Sequence, residues 1–142
     1  MRRKRKIEWM AAISIFMLAV ACATLPPKPI TVADLSALKG HWEGVRDLQF
    51  GRSQNITPIF LEIANDTLPL KGKVTLYIFA GEEKRVYSFD QGQITPQGTL
   101  LLRFGEEDRM ELNWFKEGDR EKLAGSYLSR MREGRVTFTR EK

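Results

Sequence analysis

Few residues of this 142-residue chain could do chemistry, and the rarest is Cys22, the only cysteine, set in the stretch LAVACATLPPKP from Leu18 to Pro29. A thiol can serve as a nucleophile, a redox group, a metal ligand or an acceptor for covalent lipid. Alone, it can make no internal disulfide. His41 is the single histidine, so no His/Cys set for a metal can be assembled. Ser53, Ser88, Ser126 and Ser129 stand in no G-x-S-x-G elbow, which leaves no nucleophile, base and acid to act together. Paired carboxylates occur at Glu82-Glu83 and Glu106-Glu107-Asp108, a pattern open to calcium or proton exchange. Each pair follows a glycine and precedes Lys84-Arg85 or Arg109, which is the composition of a solvated hairpin tip. No catalytic residue, metal site or cofactor is expected, and the chain reads as a non-enzyme.

The formal net charge is +5, but Arg2, Arg3, Lys4, Arg5 and Lys6 against Glu8 place +4 of it in the first 21 residues. The remainder is close to neutral with both signs interspersed, and it lacks the one-sided basic face that phosphate binding needs. No nucleic-acid partner is expected. The basic start, the apolar run Met10–Val20 and the small residues Ala19 and Ala21 follow the order of a secretory signal. As a helix, that run covers only about half of a ~30 Å hydrocarbon core, too short for a comfortable permanent span.

Leu18-Ala19-Val20-Ala21-Cys22 resembles the lipobox of bacterial lipoproteins. The resemblance implies a diacylglycerol thioether on Cys22, cleavage just before it, a fatty acyl group such as palmitate on the new amino terminus, and a place in the cell envelope outside the cytoplasm. Ala23 stands where aspartate would imply inner-membrane retention, which implies outer-membrane sorting facing the periplasm in a Gram-negative cell. An ordinary signal peptide and a short uncleaved anchor are the alternatives. The expected organisation is a signal peptide over 1–21, a lipidated cysteine and proline-rich tether over 22–30, and a small β-domain over 31–142. Chain of polyproline type from Ala23 to Pro29 would hold that domain ~20 Å above the membrane.

Thr31-Val-Ala-Asp34 starts a short helix in capping-box order, with Leu35 and Leu38 on one face and Gly40 ending it. Beyond Gly40 the period is two. About eight strands alternate, from Trp42-Gly44-Arg46-Leu48-Phe50 to Val136-Phe138, joined by turns that include Glu117-Gly118-Asp119 and Glu133-Gly134. Residues 50–58 read as a loop. No connection after Phe60 has room for a crossover helix, so the sheet must be an antiparallel meander, and closing it into a barrel removes its edges. The expected fold is all-β, a small barrel with one N-terminal helix.

Leu38-Lys39-Gly40-His41-Trp42 resembles the G-x-W opening of lipocalin-like barrels, the calycin group, and Leu123–Tyr127 with Gly134–Phe138 resemble the cadence of small secreted bacterial domains. This implies a helix plugging one end, Trp42 packed beneath it, and an arginine, Arg140 or Arg135, against that tryptophan. Trp42, Trp114 and Arg140 are the expected barrel-closing core. The inward set Trp42, Leu61, Leu76, Leu102, Trp114 and Phe138 is bulky, so a deep ligand cup is not expected. The third and fourth strands are apolar on both faces. Tyr77, Phe79, Tyr87 and Phe89 are read as an outward aromatic contact surface, unless the tether, the helix or the 50–58 loop covers it. Arg130-Met-Arg132-Glu-Gly-Arg135 is a basic hairpin tip that could meet anionic head groups.

Together these features describe a membrane-anchored envelope domain that acts as a binding or interaction module, for another envelope protein or a small apolar ligand, with no catalysis of its own. A carrier of a small apolar ligand and a structural accessory with a solid core are the alternatives. Cys22→Ser should move the protein from the membrane to the soluble fraction of lysed cells, and retention of the variant on membranes would rule out lipid anchoring through that thiol.

Overall fold

Large apolar residues at every second position, punctuated by short turns, fold as strands that each bury one face. The computed structural model describes residues 25–78, 83–130 and 132–141. The leader, Cys22 and Phe79 lie outside the described residues. A 3-10 turn, Val32–Asp34, runs into one turn of helix, α1 (Leu35–Leu38). Eight strands follow: β1 (Gly40–Phe50), β2 (Ser53–Ile63), β3 (Leu70–Ile78), β4 (Glu83–Ile94), β5 (Leu100–Phe104), β6 (Asp108–Glu117), β7 (Arg120–Ser129) and β8 (Arg132–Glu141). Each pairs antiparallel with the next, and β1 returns to β8, so the meander is a closed barrel in chain order.

Three segments differ from the expectation. The stretch 50–58 is strand: β1 turns at Gly51-Arg52, where Gly51 takes φ 59, and β2 begins at Ser53. Pro58 does not break β2, because it lies just past the last pair that β2 shares with β3, Ile59 with Leu76. Glu133-Gly134 is likewise no turn but part of β8. Gly134 is needed there for closeness: a Cβ would stand 2.3 Å from the Asp47 carbonyl oxygen on β1. Finally, the last residues assigned to the tether are docked. The Lys28 amide donates to Trp114 O at 2.7 Å and Ile30 to Gly98 O at 2.9 Å, while the Ile30 side chain is buried.

Lys28 Nζ also lies 4.5 Å from the centre of the Trp114 ring and donates to Asp34 at 2.9 Å. The same carboxylate accepts from the Thr31 amide and hydroxyl, completing the capping box, and the Lys28 bond holds the Asp34 carboxyl below its ordinary pKa.

Leu35 and Leu38 of α1 plug this end of the barrel above a filled interior, in which Trp42, Leu61, Leu76, Leu102, Trp114 and Phe138 are all buried. Trp42 donates its indole N–H to Leu38 O at 2.9 Å, tying β1 to the plug. Trp114 Nε1 has no acceptor among the described residues. Arg140 takes the place under the helix. Its guanidinium stands 4.0 Å from the Trp42 ring centre and donates to Lys39 O at 2.7 Å, to Ala37 O, and to the buried Glu121 carboxylate at 2.8 and 3.0 Å. Arg135 is outward and exposed.

Removing Arg140 would strand a buried carboxylate and two helix-end carbonyls. Arg140→Met should cost about 3–5 kcal/mol in chemical denaturation, and Arg140→Met with Glu121→Leu should recover the larger part. A single variant within about 1 kcal/mol of the parent would show that the pair does not hold the barrel closed.

Candidate functional site

The outer wall and the end of the barrel opposite α1 both carry side chains that the fold itself does not account for. On the outer wall, register decides which aromatic residues are exposed, since residues directly opposite one another share a face. Val74, which points inward, pairs with Tyr87, and Gly72 pairs with Phe89. Tyr87 and Phe89 therefore point into the barrel, not out of it. Phe89 is 3% exposed and fills the space left by Gly72, where a Cβ would come within 2.7 Å of its ring. Tyr77 does face outward, half-buried, with its ring centre 5.9 Å from that of Phe60 in an edge arrangement. The expected outward group of Tyr77, Phe79, Tyr87 and Phe89 is thus not formed by its described members. The phase of β4 set by the β3–β4 hairpin is the reason.

Another apolar stripe occupies that wall. Val45 on β1, Ile56 and Phe60 on β2 and Val86 on β4 are exposed large hydrophobic residues on outward positions of three strands of the β1–β4 wall. Val45 stands opposite Pro58, and Thr75 of β3 lies between Phe60 and Val86 as the cross-strand partner of both. A shallow groove of about 240 Å³ adjoins Phe60 and is bordered by His41, Glu43, Glu62 and Lys73. The opposite outer wall, β5–β8, presents Arg103, Arg109, Glu111, Lys122 and Arg135 to solvent. Val45 and Phe60 were visible as apolar residues of opposite parity to the core. Ile56 and Pro58 were hidden by reading their segment as a loop.

At the end opposite α1, Arg46 points inward from β1 and is 6% exposed. Its guanidinium donates to Thr57 Oγ1 at 3.4 Å, Tyr127 Oη at 3.3 Å and Tyr77 O at 3.4 Å, and lies 5.1 Å from the Tyr127 ring centre. Tyr127 in turn donates its hydroxyl to Asp108 at 2.9 Å. Its ring packs on Phe104, which packs on Tyr87, with centres 6.0 Å apart in each pair. Burial, and then the neighbouring Asp108 charge, push the Tyr127 hydroxyl well above the ordinary tyrosine pKa. Arg46 carried a signal in the sequence, since it occupies an inward phase between Trp42 and Leu48, where a charge is out of place.

The remaining candidates are surface features. His41 is exposed, 4.0 Å from Glu62. Glu83 pairs with Arg85 at 2.9 Å, and Glu107 with Arg130 at 3.5 Å, linking two hairpin tips. Asp108, expected at a solvated tip, instead begins β6 and turns to Tyr127. Among the described residues, no group of three or more His, Cys, Asp or Glu side chains could hold a metal ion.

The Tyr127 phenol should resist ionisation until the protein unfolds, which the difference in absorbance at 295 nm between the parent and Tyr127→Phe during alkaline titration will show. Because the folded pKa of Tyr127 is the higher one, its contribution to stability is complete below the unfolded value of about 10 and falls away as pH rises above it. Tyr127→Phe should flatten that alkaline loss; a Tyr127 phenol that ionises in the folded protein at its ordinary value would contradict the assignment. No family model, curated protein or solved structure matches this chain, so only its geometry bears on what it does.

Proposed function

We propose that the chain is a lipid-anchored envelope domain that binds another envelope protein through the outer face of β1–β4 and carries out no catalysis of its own. The observation that carries this reading is the exposed apolar stripe of Val45, Ile56, Phe60 and Val86 on one wall, set against a charged opposite wall. Contiguous apolar surface of this kind costs solvation free energy while bare and recovers it when covered. The bulky interior at the α1 end favours contact through the outside over carriage of an apolar ligand there.

Lipid on Cys22 would fix how that wall is presented. The chain docks on the barrel from Lys28 onward, beside α1, and five residues, 23–27, separate that point from Cys22 in the sequence. At ~3.1 Å per residue that is about 16 Å, so the α1 end would face the bilayer and the apolar wall would stand upright beside it, within reach of a neighbouring membrane protein.

A photo-reactive residue at Ile56 or Val86 should give a crosslinked protein adduct in intact cells, and the same residue at Arg103 or Arg109 should give none. Ile56→Lys with Val86→Lys should abolish the adduct while shifting stability by no more than about 1 kcal/mol, as expected of exposed positions. Absence of adducts from both walls, or equal adducts from both, would refute the reading.

A further inference from the structure

The charges on the outer face of β1–β4 are divided so that the face complements itself. Cross-strand pairing sets His41, Glu62, Lys73 and Ser88 in one row and Glu43, Phe60, Thr75 and Val86 in the next. Acids lie on β1 and β2, at Glu43, Asp47 and Glu62, and lysines on β3 and β4, at Lys71, Lys73 and Lys84, with Asp90 beyond these rows at the α1 end of β4. Glu62 and Lys73 stand directly opposite one another, yet they form no ion pair. Among the described residues Glu43, Lys73 and Lys84 have no ion pair at all, and Glu62 meets His41 at 4.0 Å. Unlike charges held on two sides of an apolar centre fit a surface with the opposite division.

We infer that the partner met by this face is a second copy of the chain, packed wall to wall about a two-fold axis that runs along β2 and β3. The inference rests on the outer-face reading and names its partner. Such an axis exchanges the two halves of the face, so Glu62 of each copy comes over Lys73 of the other. Phe60 of each comes over Thr75, beside the groove of about 240 Å³ that Glu43, Lys73 and Thr75 help to line. An axis across the strands would instead lay the acidic half of one copy on the acidic half of the other. The axis along the strands also leaves both α1 ends, where the leash docks, on the same side, so lipid on both Cys22 residues would enter one bilayer. From His41 to Gln49 the face is about 27 Å long and, across four strands, about 20 Å wide. Two such faces bury ~1,000 Å², at the lower limit for a specific interface. A contact of that size is weak between freely diffusing copies and stronger when both are held on one surface.

Full-length chain with a photo-reactive phenylalanine analogue at Phe60, coexpressed in intact cells with a copy bearing a second tag, should give on illumination an adduct that carries both tags. When both copies carry Glu62→Lys, or both carry Lys73→Glu, the yield should fall about tenfold, because each dimer then holds two like-charge contacts. Both changes in one chain should restore it. With Glu62→Lys in one copy and Lys73→Glu in the other, the two-tag adduct should also return to the parent yield, a pattern that a charge pair within one chain cannot produce. Should either variant not fold, Glu62→Gln in both copies, expected to lower the yield about threefold, and the two-tag adduct of the parent chain decide. An adduct with a protein that lacks the second tag, in place of the two-tag species, would overturn the inference and leave the outer-face reading standing, whereas no adduct of any kind would overturn both. Equal yields from the parent and all charge variants would also overturn the inference.

Discussion

The guanidinium of Arg140 is where the barrel is closed. It arrives at the end of the last strand and meets groups from three other places in the chain: helix-end carbonyls of Ala37 and Lys39, the Trp42 ring on β1, and the Glu121 carboxylate on β7. A four-residue helix has no stability of its own, and its last carbonyls need donors. Arg140 supplies them, and the helix in return covers the apolar end of the interior. Glu121 is tolerated at 2% exposure because two guanidinium nitrogens of Arg140 donate charge-assisted bonds to its Oε2. First strand, last strand and plug are therefore joined by one side chain.

With that end sealed, the chain that runs into the 3-10 turn is itself part of the seal. Lys28 bonds to β6 through its backbone, lies against Trp114, and pairs with Asp34, which caps the 3-10 turn. Residues 28–30 therefore enter the barrel already docked beside the plug, through backbone bonds to Trp114 and Gly98. The two faces of the wall then divide the work: inward positions fill the interior, and outward positions on β1–β4 keep apolar groups in water.

The other end is built on different chemistry. In place of a plug and a buried ion pair it holds a chain of polar groups, Arg46 to Tyr127 to Asp108, bordered by the mutually tilted rings of Tyr87, Phe104 and Tyr127. Such a network is strong only when each member is satisfied, and the contacts of Arg46 are long. One end of the barrel is closed by short charge-assisted bonds; the other is held loosely around a cation.

Much of the fold was legible because a closed meander is written in local terms. Alternation from Trp42 to Phe138, glycine turns too short for crossovers, and Thr31 to Asp34 ahead of Leu35 and Leu38 each reflect the chemistry of neighbouring residues, and they lead to eight antiparallel strands under a short plug. The choice of Arg140 over Arg135 needed the parity of β8, which places one inward and the other in solvent. What the sequence could not determine is cross-strand register. Tyr87 and Val86 are both large and apolar, and either phase of β4 would satisfy alternation; pairing with Val74 and Gly72 sent Tyr87 and Phe89 inward and left Val86 outside. The same holds for Gly134, a turn residue by type but a strand residue because β1 passes too close for a Cβ. Period and turn chemistry are properties of a segment and its neighbours. Which face of a two-sided strand meets water is settled only when a distant strand docks against it, because a shift of one residue exchanges the two faces.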